Sequence, residues 1–150
     1  DETREAVEKY IFDASMKSLT QTGSNTFNAT VAQQVVKDGV LASTENCNKN
    51  LKQKDSKGIH YYSWTGVAQA TNALDIDTIL MQLGPLSYGS KDNDGMVSRC
   101  SAFMGKVIHD QYKLNHTDLA NMMFGLKGLF APDPVALYRQ HANRLKLEGL

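Results

Sequence analysis

Asn93-Asp94-Gly95-Met96-Val97-Ser98, followed further along by Asn115-His116-Thr117-Asp118, is the pair of stretches on which the reading of this chain turns. An acid and then a histidine supply two of the three groups of a Ser-acid-His triad. The acid fixes the imidazole tautomer, and the imidazole takes and returns the proton of a nucleophilic hydroxyl. The third group lacks its usual setting: no Gly-x-Ser-x-Gly, which places a serine on a sharp strand-to-helix turn, occurs in the sequence.

The order is informative. In an α/β-hydrolase the triad runs Ser, then Asp or Glu, then His, so an acid and a histidine without the elbow belong to the C-terminal half of such an enzyme. The expected fold is therefore α/β, the C-terminal half of an α/β-hydrolase sheet with flanking helices. Residues 1–150 would form the C-terminal part of a single domain whose nucleophile-bearing N-terminal part is not in this chain. The start at Asp1, with no initiator Met and no charged region followed by an apolar one, suits a piece of a mature, processed protein.

Composition narrows the partners. The chain has 150 residues, 41% hydrophobic and 21% charged, as in ordinary globular proteins. Sixteen basic residues against sixteen acidic leave a formal net charge of zero, which removes the electrostatic warrant for nucleic acid or an anionic membrane. Lys49, Lys52, Lys54 and Lys57 cluster, but Asp55 interrupts them and no aromatic residue is interleaved, so the run reads as a solvated loop. Cys47 and Cys100 show no metal-ligand spacing. They are either a disulfide or two buried thiols, and a disulfide would close a loop for which chain entropy gives roughly 4 kcal/mol.

Along the chain, Val7, Tyr10, Ile11, Ala14 and Leu19 predict a helix over residues 3–19, stopped at Gly23-Ser24-Asn25. A short helix is expected from Thr26 to Val36, then an exposed loop over 42–58. Ile59 to Thr65, bounded by Gly58 and Gly66, reads as a strand buried on both faces. Helical turns at Asp77–Leu83 and an irregular loop at Tyr88–Asp94 follow. Lys106 to Leu114 is a second strand, leaving His116 in the loop beyond it, where working residues of open α/β sheets lie. Asp133-Pro134 through Glu148 is a helix with an N-cap, a proline at its first position and Gly149 past its end.

Asp94 and His116 are thus the candidate acid and base, although any single Asp or His is more often structural. His60, His109 and His141 compete, but His109 falls in a strand and His141 in a helix. Asp118, close behind His116, suggests a separate duty. With a carboxylate such as Asp75 and the carbonyls of an irregular turn, it could hold an oxygen-ligating cation. Its plainer role is to cap a short helix over Leu119–Phe124. An EF-hand is excluded, because residues 90 and 101 are serine where acids are needed.

Taken together, Tyr61-Tyr62-Ser63-Trp64, Thr71-Asn72-Ala73-Leu74-Asp75, Asn93-Asp94-Gly95-Met96-Val97, Asn115-His116-Thr117-Asp118, Phe124-Gly125-Leu126 and Tyr138-Arg139-Gln140-His141-Ala142-Asn143-Arg144-Leu145-Lys146 resemble the secreted, foldase-dependent bacterial triacylglycerol lipases of the Pseudomonas type. The resemblance is close from Tyr61 to Leu150 and loose from Ser18 to His60. It implies Asp94 as triad acid, His116 as triad base, and a disulfide between Cys47 and Cys100. It also implies a structural Ca²⁺ held by the carboxylates of Asp75 and Asp118 and the main-chain carbonyls of Met122 and Leu126. Met122 stands where the family often has glutamine, which leaves a main-chain ligand in place.

The implied partners are an N-terminal lipase fragment carrying the serine, an acylglycerol substrate at a lipid-water interface, and a lipase-specific foldase during folding, with no nucleic acid. The implied location is extracellular, by way of the periplasm. Two other readings stand beside this one: a non-catalytic calcium-stabilised binding module, and an esterase for short soluble esters.

Overall fold

The computed structural model describes residues 21–42, 47–68, 70–71, 92–122 and 125–150. The expected helices over 3–19 and Asp77–Leu83, and the first part of the expected loop at Tyr88–Asp94, lie outside them. Among the described residues, two parallel strands, β1 (Tyr62–Gly66) and β2 (Lys106–Tyr112), form the sheet. Parallel pairing requires a long crossover rather than a hairpin, and the chain between Gly66 and Lys106 supplies it. The register runs Tyr62 with Lys106, Ser63 with Val107, Trp64 with His109 and Gly66 with Tyr112, with irregularities on either side of Trp64. This is an α/β arrangement.

β1 begins later than its aromatic and β-branched run predicts. Ile59 and His60 are taken up in a turn instead: Asp55 Oδ1 accepts from the backbone N–H groups of Lys57 at 2.9 Å and Ile59 at 2.8 Å, and His60 pairs with Lys54 in an isolated antiparallel bridge. The strand is not buried on both faces either; Tyr62, Ser63 and Trp64 are half-buried, and only Thr65 and Gly66 are fully enclosed. Gly66 extends the strand rather than bounding it, because a Cβ there would collide with the carbonyl of Leu114. Gly105, at φ 61°, lets the chain turn into β2 hard against the backbone of Tyr61.

The N-terminal described segment departs from expectation in a different way. Helix α1 spans Gln21–Thr30 and runs through Gly23-Ser24-Asn25, while α2 spans Gln33–Lys37 after a break at Val31 and Ala32. The hydroxyls of Thr26 and Thr30 donate to the carbonyls one turn back, at 2.9 and 2.7 Å, so side chains that favour turns are spent inside the helix.

The last helix, α4 (Pro134–Leu147), follows its sequence signals: Asp133 Oδ1 accepts from Val135 N at 3.1 Å, proline opens the helix, and Gly149 takes φ 76° beyond it. It packs on β1 through edge-on aromatic contacts, with Trp64 to Tyr138 at 5.5 Å and Tyr62 to His141 at 5.0 Å between ring centres. At its end Glu148 accepts from Tyr62 and from Gln53 and pairs with Lys106 at 3.5 Å, joining the start of both strands to the helix. Among the described residues no helix is long and apolar enough to cross a membrane.

Candidate active site

The site forms beyond the carboxyl end of β2. Leu114 and Asn115, both at 0% exposure, carry the chain out of the sheet, and His116 opens a short helix, α3 (His116–Leu119). His116 is therefore not in an open loop, and Asp118 is not the cap of a helix that begins after it. Asn115 is the N-cap, and Asp118 sits three residues on, its Oδ2 accepting from Asn115 N at 3.3 Å while Asn115 Oδ1 accepts from Asp118 N at 2.7 Å. The Asn-x-x-Asp spacing carried this capping box in plain view.

Asp94 comes from a tight loop closed by the bridge between Asn93 and Ser98. Its Oδ1 accepts from the backbone N–H groups of Met96 at 3.0 Å and Val97 at 2.8 Å, so one carboxylate oxygen is fixed by the loop itself. The other, Oδ2, lies 2.9 Å from His116 Nδ1, and the backbone N–H of His116 donates to the carbonyl of Asp94 at 2.8 Å. The carboxylate is buried, with 4% of its side chain exposed, whereas 41% of the imidazole is exposed. Both residues line one cleft of about 430 Å³ with Ser63, Trp64, Leu119 and Tyr138. Of the four histidines, only His116 is hydrogen-bonded to a carboxylate among the described residues. His109 stacks on Tyr112, and His141 Nδ1 meets Arg144.

The hydrogen bond that His116 donates to Asp94 raises the affinity of the ring for its proton, and burial partly opposes this, so the ring titrates above its ordinary value of 6.5. A base must be neutral to accept a proton. The ring is expected to lose its proton with a midpoint above that value, and Asp94→Asn to move the midpoint down; NMR titration of the His116 ring in the two proteins checks this. Because the folded value is raised, the stability from this pair is fully present below the unfolded value and is lost as pH climbs through the folded one.

The loop bearing Asp94 is anchored at its far end. Cys100, just past it, is disulfide-bonded to Cys47, with Cα atoms 4.8 Å apart. Beside the bridge Asp110 of β2, 8% exposed, is held by Lys49 at 2.8 Å and Arg99 at 3.7 Å, and Arg99 also reaches Asp92 at 3.7 Å. The lysine-rich loop is exposed as expected, but Lys49 has this partner, which charge clustering alone did not disclose. Arg99 and Asp110 are site-supporting residues that carried no motif. Cross-linking across 53 residues predicts that Cys47→Ser with Cys100→Ser costs the protein roughly 4 kcal/mol by the chain-entropy model, read as a lower urea midpoint.

Of the residues expected to hold a cation, Asp118 is 1% exposed at the foot of α3. Met122 and Leu126 follow it, 62% and 45% exposed, with Asn121 at φ 54° and Gly125 at φ 88° beside them. Asp75 lies outside the described residues. Thr71, a few residues before it, is within reach: Asn115 Nδ2 donates to Thr71 Oγ1 at 3.2 Å. Among the described residues no three His, Cys, Asp or Glu side chains converge as a metal site.

No protein-family model matches the chain. Curated relatives do. It is 45% identical over 137 residues, 91% of its length, to a triacylglycerol lipase of Vibrio cholerae serotype O1. It is 44% identical over 89 residues to a triacylglycerol lipase of Burkholderia plantarii, and 34% identical over 129 residues to one of Pseudomonas fragi. Over most of its length, this chain is similar in sequence to bacterial triacylglycerol lipases. It spans 41%, 25% and 43% of the lengths of those three relatives, so it corresponds to less than half of each. Its α/β pairing and its disulfide accord with that kinship.

Proposed function

We propose that this chain is the acid- and base-bearing part of an α/β-hydrolase that cleaves acylglycerol esters at a lipid-water interface through an acyl-enzyme. The observation that carries the reading is the 2.9 Å contact between a loop-fixed, buried Asp94 and a half-exposed His116 in a cleft. Asp94 holds Nδ1 and stabilises the imidazolium; that leaves Nε2 to take the proton of a serine hydroxyl and deliver it to the departing alcohol. The serine and the oxyanion hole belong to the N-terminal part of the domain, outside this chain. Leu129 at 84% and Phe130 at 92% exposure, and the two outer edges of the sheet, are apolar and hydrogen-bonding surface suited to that remainder.

A hard, oxygen-ligating cation fits the buried Asp118 and the turned backbone that follows it, and Ca²⁺ is the ion we assign, held by Asp75, Asp118 and the carbonyls of Met122 and Leu126. When bound it supplies charge that ties these loops together and has no contact with substrate. The disulfide suits an oxidising compartment, and with it secretion through the periplasm and assistance from a lipase-specific foldase.

The full-length protein is expected to hydrolyse triolein emulsions, with activity climbing once substrate exceeds its solubility. Full activity on dissolved short esters with none on emulsions makes it an esterase instead, and no hydrolysis of either makes it a binding module.

A further inference from the structure

We propose that Asn115, through its hydrogen bond to Thr71, is the positioning residue that sets His116 against Asp94. The inference rests on the reading of His116 as the base and adds two residues which that reading does not use. Asn115 is fully buried, at 0% exposure, and its amide works in two directions. Its Oδ1 accepts from Asp118 N at 2.7 Å and from Thr117 Oγ1 at 2.9 Å; its Nδ2 donates to Thr71 Oγ1 at 3.2 Å. The first two bonds are local and cap the helix. The third spans 44 residues of chain and has nothing to do with capping.

The side-chain chemistry singles out an amide. Serine or aspartate would cap α3 equally well, since each offers an oxygen to Asp118 N. The amide accepts with one end while donating to Thr71 with the other, a reach that serine lacks. Thr71 is packed closely against Gly128, where a Cβ would sit 3.1 Å from the Thr71 carbonyl oxygen. Three stretches of chain, around residues 71, 115 and 128, therefore meet at this threonine. His116 is the next residue after Asn115, and its own backbone N–H is held by the Asp94 carbonyl at 2.8 Å. The histidine backbone is held by the acid's loop, and the residue before it is held through its side chain by Thr71. Without the Thr71 bond, capped α3 can shift as a unit, and small shifts of a base cost rate rather than binding.

The test uses the full-length enzyme with a dissolved monomeric ester, p-nitrophenyl butyrate, and counts active molecules by serine-directed phosphonate. Thr71→Val removes the acceptor at constant shape, and Asn115→Ser keeps the cap but cannot reach Thr71. Each is expected to lower kcat about tenfold per titrated site with KM within about twofold. The double variant is expected to be no worse than either, and Thr71→Ser to restore kcat. Undiminished kcat in the two single variants, additive losses in the double, or a change confined to KM overturns the inference while leaving the triad reading intact. Should His116→Ala retain wild-type kcat, the triad reading fails, and the inference with it.

Discussion

His116→Ala in the full-length enzyme is expected to lower kcat by about 10⁴ to 10⁶ with little change in KM, because the imidazole acts on the serine proton only in the transition state. Asp94→Asn is expected to cost about 10⁴, since an amide in place of the carboxylate accepting at His116 Nδ1 permits the wrong tautomer. The double variant should lose no more than the single histidine variant, as groups that act as one unit do not add. The effect on folding is expected to be small by comparison. Asp94 remains tied to Met96 and Val97 through Oδ1, which its asparagine analogue also offers. Steady-state kinetics with circular dichroism on each variant separate the two effects.

On the proposed assignment of Ca²⁺, its removal is the second large expected effect. Stripping the full-length enzyme with chelator is expected to reduce activity about a hundredfold by letting the segment from Asn115 to Leu126 drift, with recovery on adding Ca²⁺ back. The loss is one of order in that segment: amide exchange there should quicken while β1 and β2 stay protected. Asp118→Asn should mimic the stripped enzyme and raise the Ca²⁺ concentration needed to shift the melting temperature. A folded, calcium-free enzyme with full activity contradicts the role assigned to the ion.

Asp94 and His116 are readable in the sequence because each sits in a compact motif whose order along the chain carries meaning. α4 is readable because Asp133-Pro134 and Gly149 mark its ends and nothing tertiary overrides them. β2 lies where its composition puts it, ending at Tyr112 rather than Leu114 because the two residues after Lys113 turn inward to build the site. The departures have a common physical source. Gly23, Ser24 and Asn25 signal a turn locally, yet α1 runs through them. Ile59 and His60 have strand composition, yet Asp55 draws the backbone into a turn by accepting two of its N–H groups.

In the site, the difference is one of competing caps. Asp118 is a good N-cap residue, but so is Asn115, and Asn115 takes the cap while Asp118 closes the capping box by accepting from the Asn115 backbone N–H. The salt bridges of Asp110 to Lys49 and Arg99 are illegible in the sequence, because nothing local brings residues 49, 99 and 110 together. The pairing of Cys47 with Cys100 follows from kinship and not from spacing, and the structure forms it. Of the carboxylates assigned to the proposed cation, Asp118 lies buried at the foot of α3, and Asp75 lies outside the described residues.

Mass-resolved labelling with a serine-directed phosphonate bears most directly on the central claim, that this chain hands protons to and from a hydroxyl it does not itself carry. The account predicts one labelled serine, located outside residues 1–150 of the full-length protein, with labelling slowed by orders of magnitude in His116→Ala. A label on any serine within these 150 residues, or equal labelling of the His116→Ala protein, would contradict it.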